Sequence, residues 1–261
     1  MIADWRSIRA GLQPLLAQVE AYGVGPIVGI QPLCGGRTAQ VVLRLIRARG
    51  EPLVLKAAPP AAVDGRLDWP AELEREIELY ATRPELAPWR PELCGHFQAE
   101  GWRGLLMQDL GPSGPPPPWT PDAVQAVATG LAQMHLAAAR GGGPLAHGDV
   151  RSDNLFLLPG RRLALCDWAE AADGSGLGDA VYWAIGVELE GGCARGAYAR
   201  YSAIAGEVDP GRLGAVIAEL TRLTQQRLEC ADLPSAARRL RRRELDALRR
   251  WAGATSSGVG V

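Results

Sequence analysis

Asp149, Arg151, Asn154 and Asp167 are the residues of this chain whose types and spacing could do chemistry. The stretch Ala146-His147-Gly148-Asp149-Val150-Arg151-Ser152-Asp153-Asn154-Leu155-Phe156 is followed, one short hairpin later, by Leu165-Cys166-Asp167-Trp168. Two carboxylates and one amide thus stand on polar turns beside apolar strands, which suits the holding of a metal-bound triphosphate next to an alcohol. In that chemistry Asp149 would accept the hydroxyl proton, while Asn154 and Asp167 would hold Mg2+ against the phosphates. Arg151 would reach the transferring phosphoryl group as a fixed positive charge. Each residue alone has a plainer reading: a turn at His147-Gly148-Asp149, a cap at Asn154, a strand-end acid at Asp167. The hairpin of Leu155 to Leu158, Pro159-Gly160 and Leu163 to Cys166 lies between the two metal candidates and makes them a set.

The spacing Asp149-x-Arg151-x-x-Asn154, with Asp167-Trp168 beyond a Pro-Gly turn, resembles the catalytic and metal loops of the protein-kinase-like superfamily. His147-Gly148-Asp149, where protein kinases carry His-Arg-Asp, is more similar to the aminoglycoside phosphotransferase family of small-molecule kinases. The resemblance implies an α+β, two-lobed protein-kinase-like fold: a small five-stranded antiparallel sheet with a helix in the N-lobe, and a mainly helical C-lobe. It further implies transfer of the ATP γ-phosphate to a hydroxyl of a small molecule, with ATP and Mg2+ as cofactors. An aminoglycoside or other antibiotic-like acceptor is favoured, with a sugar, choline-like or amino-alcohol acceptor of metabolism or natural-product synthesis as the alternative and a non-catalytic nucleotide scaffold as the lesser one. A protein Ser/Thr kinase fits less well, because few residues separate Asp167 from Asp179 and no Ala-Pro-Glu follows.

The elements that must position these residues fall in order along the chain. A helix over residues 4–22 carries an apolar stripe of Trp5, Ile8, Leu12, Leu15, Leu16 and Val19. Strands follow at 27–33 and 40–46, joined through Gly35-Gly36 in the layout of a glycine-rich loop whose amides cover phosphates. The strand 53–57 puts Val54 and Lys56 on one face. Lys56 is the only lysine in a chain whose other basic residues are arginines, and a compact ammonium there could hold the α and β phosphates. Its partner should lie on the helix 70–80, whose stripe is Leu73, Ile77 and Tyr80. The family resemblance points to Glu76, with Glu72 and Glu78 as competitors.

Strands at 93–98 and 103–108 complete the sheet and end in Met107-Gln108-Asp109-Leu110. By resemblance this is the hinge, with the Gln108 carbonyl and Leu110 amide contacting adenine and Met107 lining the pocket. A proline-rich linker spans 112–119. Thr120-Pro121-Asp122 then opens a helix with a cap, a first-turn proline and an acid. On that helix His135 reads as a core histidine. His147 reads as an orienting hydrogen-bond residue, Asp153 as a reserve carboxylate, Glu170 as a residue without a role, and Asp179 as the family's brace for the catalytic loop. Helices are expected at 179–189, 194–205, 210–229 and 235–251, the last with a solvated basic face, and a flexible tail at 253–261. The domain boundaries that follow are an N-lobe over 1–111, the linker, a C-lobe over 120–252 and the tail.

At 261 residues, 47% hydrophobic and with net charge −1, the chain can bury a sizeable core, and its near-neutral charge argues against a general nucleic-acid binder. No run is long and apolar enough to suggest a membrane span, so a cytoplasmic protein with a small hydroxylated acceptor as its partner is the expectation. Five widely spaced cysteines without a Cys-x-x-Cys indicate neither a disulfide frame nor a zinc site.

Overall fold

The computed structural model describes residues 5–33, 41–58, 69–111, 118–206, 208–229, 233 and 235–256. Gly35 and Gly36, most of the proline-rich linker and the last five residues lie outside them. The chain divides into two compact units, Met1–Ala87 with Pro91–Gly111, and Pro88–Arg90 with Pro112–Val261.

The first unit is built on a five-stranded antiparallel sheet. Its strands are β1 (Ile27–Pro32), β2 (Val41–Arg47), β3 (Leu53–Ala58), β4 (Leu93–Ala99) and β5 (Trp102–Gln108), in the order β1-β2-β3-β5-β4. Alternation divides β3 between two faces. Leu53, Leu55 and Ala57 join Leu43, Leu45 and Leu106 in a core with Leu12, Leu15, Leu16 and Val19 of helix α1 (Trp5–Val19). The helix approaches closely because β5 carries Gly104 there: a Cβ would stand 3.0 Å from both Leu15 and Leu55. Helix α1 ends in a short π-helical turn, Glu20–Val24, broken by Gly23 at φ 93°. Val54 and Lys56 take the opposite face, opposite Met107 and Leu105 of β5. The second helix of this unit, α2 (Trp69–Thr82), buries Leu73, Glu76 and Tyr80, spaced three and four residues apart.

The second unit is mainly helical. Helix α3 (Pro121–Gly141) starts as its sequence dictates, with the Thr120 side chain accepting from the Ala123 amide and Pro121 in the first turn. Between α3 and the next helix lie four short strands: β6 (Leu145–Ala146), β7 (Leu155–Leu158), β8 (Arg162–Leu165) and β9 (Ala172–Asp173). β7 pairs with β8 as a hairpin and β6 pairs with β9. Gly130 of α3 lets that helix lie against the hairpin, since any Cβ there would collide with Leu163. Helices α4 (Leu177–Leu189), α5 (Ala194–Ala205), α6 (Pro210–Glu229) and α7 (Ser235–Ser256) complete the unit.

Helix α4 is buried on nearly all sides, so its few polar residues must find partners within the protein. Helix α7 corrects two expectations. It continues to Ser256, so the predicted tail begins later than 253. Its basic face is not wholly solvated either: Arg241 is buried, donating to Tyr182 Oη and to Glu244 Oε2 at 2.8 Å. Among the described residues no helix is long and apolar enough to cross a membrane.

Candidate active site

In the first unit Lys56 Nζ donates to Glu76 Oε2 at 2.6 Å, and both side chains are almost completely buried. The geometry selects Glu76 over Glu72 and Glu78. A buried ammonium needs a partner held in place, and Glu76 sits inside the apolar stripe of α2, whereas Glu78 is exposed. Met107 is buried on the same face of the sheet as Lys56, while Gln108 is exposed and donates its amide to the Glu92 carbonyl at 2.9 Å. The turn after Gln108 is organised by a residue that sequence reasoning passed over. Asp109 takes a two-pronged contact from Arg44 of β2, at 2.5 and 3.1 Å, and accepts from the Gly111 amide at 2.9 Å. Leu110 lies between Asp109 and Gly111, inside the turn that this last bond closes.

In the second unit the hairpin brings the proposed metal ligands together. Asn154 precedes β7 and Asp167 follows β8, and the Cys166 amide donates to the Asn154 carbonyl at 3.0 Å, so both stand at the open end of one ladder. Asp167 adopts a left-handed conformation, φ 64° and ψ 66°, which is uncommon outside glycine. The Asn154 amide nitrogen is committed to the Asp149 carbonyl and to Asp149 Oδ2, both at 3.0 Å. Its Oδ1 is therefore the atom that would face a cation. Among the described residues no group of three or more His, Cys, Asp or Glu side chains could hold a metal alone. One carboxylate and one amide oxygen suit Mg2+, which takes most of its ligands from phosphate and water.

Asp149 itself is gripped by Arg151, with Nε to Oδ1 at 2.7 Å and Nη2 to Oδ2 at 2.8 Å, a bidentate pair. Burial pushes the Asp149 carboxyl upward, but the Arg151 hydrogen bonds and charge outweigh it and hold the group below its ordinary range. Arg151 is in turn raised further by the same pairing, against its own burial, and also meets Asp153 at 3.1 Å. The reserve carboxylate is thus a partner of Arg151, and the guanidinium expected on a phosphoryl group rests here on the candidate base.

The loop is held from behind by Asp179, in the first turn of α4. Its carboxylate accepts the His147 amide at 2.6 Å, the Gly148 amide at 2.9 Å and His135 Nε2 at 3.0 Å. His135 is a core histidine, its Nδ1 2.9 Å from the Tyr201 hydroxyl. Gly148 is required by its backbone, at φ 84°, where a Cβ would stand 2.5 Å from the Glu170 carbonyl oxygen. The buried His147 spans the loop and the hairpin. Its Nε2 lies 3.1 Å from the Cys166 carbonyl oxygen, its Nδ1 accepts from the Asp149 amide at 3.3 Å, and its ring packs 4.5 Å from that of Trp168. Trp168 donates its indole N–H to the Leu165 carbonyl, and Glu170 forms an exposed pair with Arg227.

The sequence matches no protein-family model and no curated protein. Solved structures do match. The aminoglycoside phosphotransferase APH(3'')-Id of Streptomyces rimosus, in complex with ADP and streptomycin, aligns over 91% of this chain and 98% of its own, with TM-score 0.57 and 14% identity. The amicoumacin kinase hAmiN, in complex with AMP-PNP, Ca2+ and Ami, aligns over 97% of this chain and 96% of its own, with TM-score 0.59 and 11% identity. Choline kinase LicA of Streptococcus pneumoniae aligns over 92% and 99%, with TM-score 0.61 and 11% identity. The chain has the fold of these small-molecule kinases.

Within this kinase-like fold two groups near the loop escaped the sequence reading. Tyr182, one turn along α4 from Asp179, is held by Arg241 and Glu244 of α7. Burial pushes its phenol up to about 12, with the Glu244 carboxylate adding to the rise. The second is Glu190, at the C-terminal end of α4, which takes the Ser152 hydroxyl at 2.5 Å and the Trp119 indole at 2.7 Å. Neither carried a sequence signal, because their partners lie between 38 and 71 residues away.

Proposed function

We propose that this protein is an ATP-dependent O-phosphotransferase that moves the γ-phosphate of ATP onto a hydroxyl of a small molecule. The observation that carries the reading is the convergence at one hairpin end of Asp149, Asn154 and Asp167, with Arg151 on the base. Lys56, braced by Glu76, would hold the phosphates, with Met107, Gln108 and Leu110 at the adenine and Gly35-Gly36 over the phosphates. Asn154 and Asp167 would hold Mg2+, which supplies neutralisation of phosphate charge.

The chain's own contribution is alignment. Asp149, kept ionised by Arg151, orients an incoming hydroxyl and accepts its proton late, as suits a loose phosphoryl-transfer transition state. Arg151 can share its five donors between Asp149 and a phosphate oxygen. The favoured acceptor is an aminoglycoside or other antibiotic-like compound, supported by neighbours solved with streptomycin and amicoumacin. A choline-like acceptor is the second reading, supported by the likeness to a choline kinase. The reading also takes the protein to act in the cytoplasm, without nucleic acid or membrane as partner.

The test is ATP- and Mg2+-dependent turnover over aminoglycosides, other hydroxylated antibiotics, sugars and amino alcohols. Phosphorylation of one class, lowered about a hundredfold or more in Asp149→Asn with nucleotide affinity retained, is the expected result. Full activity in that variant would remove Asp149 from its role. Nucleotide binding without turnover on any compound would favour a scaffold.

A further inference from the structure

Glu190 stands where local electrostatics disfavour it. A carboxylate at a helix C-terminus meets the negative end of the helix dipole, and nothing in the spacing of α4 asks for an acid there. Such a departure from a local rule points to a tertiary task. The structure shows that task. Glu190 Oε1 accepts the Ser152 hydroxyl at 2.5 Å and Oε2 accepts the Trp119 indole N–H at 2.7 Å, both charge-assisted bonds.

The turn beyond it is built to keep those contacts. Gly191 lies at φ 89°, the Gly192 amide donates to the Val187 carbonyl at 2.8 Å, and a Cβ on Gly192 would stand 2.5 Å from Val187 and 3.4 Å from Trp119. Trp119 is further seated edge-on against Trp183 of α4, with ring centroids 6.1 Å apart.

Ser152 opens the one-turn helix Ser152–Asn154, which ends on the candidate metal ligand. Helix α4 therefore grips the catalytic loop twice: Asp179 in its first turn holds the His147 and Gly148 amides, and Glu190 at its far end holds Ser152. Asp179 fixes where the loop enters. Without the second grip, the turn that presents Asn154 keeps its bonds to Asp149 and Arg151 and its continuity with the hairpin.

We infer that Glu190 is a positioning residue: acting through Ser152 it sets the orientation of the Asn154 turn, and through Trp119 it ties that turn to the segment that leads into α3. The inference rests on the phosphotransferase reading for its consequence in turnover, and on contacts alone for its consequence in loop order.

The experiment uses the full chain with Glu190→Ala, Glu190→Gln, Ser152→Ala and the double variant Ser152→Ala/Glu190→Ala. Three quantities are read: amide hydrogen exchange over residues 147–156, phosphate release from Mg2+-ATP with water as acceptor, and the Kd for ADP. Glu190→Ala should speed exchange in the loop about tenfold or more while leaving α3 unchanged, and lower kcat about ten- to a hundredfold with the ADP Kd within about twofold. Glu190→Gln should recover part of kcat, because its amide can accept from Trp119 and donate to Ser152. The double variant should be no worse than Glu190→Ala, since that single change already removes the Ser152 bond along with the Trp119 bond.

Unchanged loop exchange in Glu190→Ala would overturn the inference. So would faster exchange with unchanged kcat, or a kcat loss that only tracks the unfolded fraction. A wild-type protein that binds ADP but neither releases phosphate nor phosphorylates any compound of the acceptor panel would sink the phosphotransferase reading, and the exchange arm would still decide whether Glu190 holds the loop.

Discussion

Replacing Asp179 by asparagine tests how the candidate catalytic loop is held. The carboxylate is 3% exposed and serves three donors, with the His147 amide and His135 Nε2 on one oxygen and the Gly148 amide on the other. An asparagine oxygen can keep the first two, but its NH2 then faces the Gly148 N–H. Two bonds lose their charge assistance, about 1 kcal/mol each, and one donor is left unsatisfied at about 1–3 kcal/mol. The sum is roughly 3–5 kcal/mol, a large share of the stability of an ordinary domain.

Urea unfolding at neutral pH measures the loss directly, and the thermal midpoint should fall on the order of 10 °C. The pH dependence has a definite sign. Burial pushes the Asp179 carboxyl up, but the His135 hydrogen bond and charge, with the His147 amide, hold it below its ordinary range. A lowered folded pKa contributes stability above the unfolded value of about 3.9 and loses it as pH falls through the folded value. The gap between wild type and Asp179→Asn should therefore be widest at neutral pH and narrow below about pH 4. A loss under about 1 kcal/mol, or a gap that does not narrow in acid, would refute the brace as described.

Lys56→Met removes the ammonium that donates to the fully buried Glu76, and urea unfolding should show a loss of roughly 3 kcal/mol that the double variant Lys56→Met/Glu76→Gln largely restores. Nucleotide affinity should stay weak in both, as read by titration with ADP, because the phosphate contact proposed for Lys56 is gone in each. Gly148→Ala combines a left-handed backbone with a Cβ set 2.5 Å from the Glu170 carbonyl oxygen, and should cost about 2–4 kcal/mol in urea unfolding together with most of the turnover. Arg44→Met removes the fork that orders Asp109, and ADP titration should weaken severalfold while the urea midpoint shifts little, since the pair is partly exposed.

What could be read in advance was whatever local spacing fixes. The hairpin between Asn154 and Asp167, the cap of α3 and the two faces of β3 all follow from neighbours within a few residues. Glu76 could have been chosen from the sequence alone, since Leu73, Glu76 and Tyr80 share one stripe and an acid inside an apolar stripe must be partnered. The expected stripe named Ile77 instead, which is only partly buried. Asp109, Glu190 and Arg241 were not legible. Each has an ordinary surface residue's type and setting, and each owes its position to a partner on another element. The all-arginine look of α7 hid Arg241 for the same reason, because only the arrival of Tyr182 beside it makes one of its arginines internal.

The loop's geometry thus comes less from its own residues than from α4. A helix buried on nearly all sides cannot leave a carboxylate unsatisfied, so Asp179 is compelled to draw amides toward itself, and the amides available are those preceding Asp149. The same burial fixes the helix against drift, because moving it would open a core containing Trp183, Ile185 and Val187. Rigidity in an apolar element is in this way transferred to a polar loop through two fixed amide hydrogen bonds. The proposed catalysis by alignment would need such support, since a displacement of about 1 Å is enough to cost a hundredfold in rate.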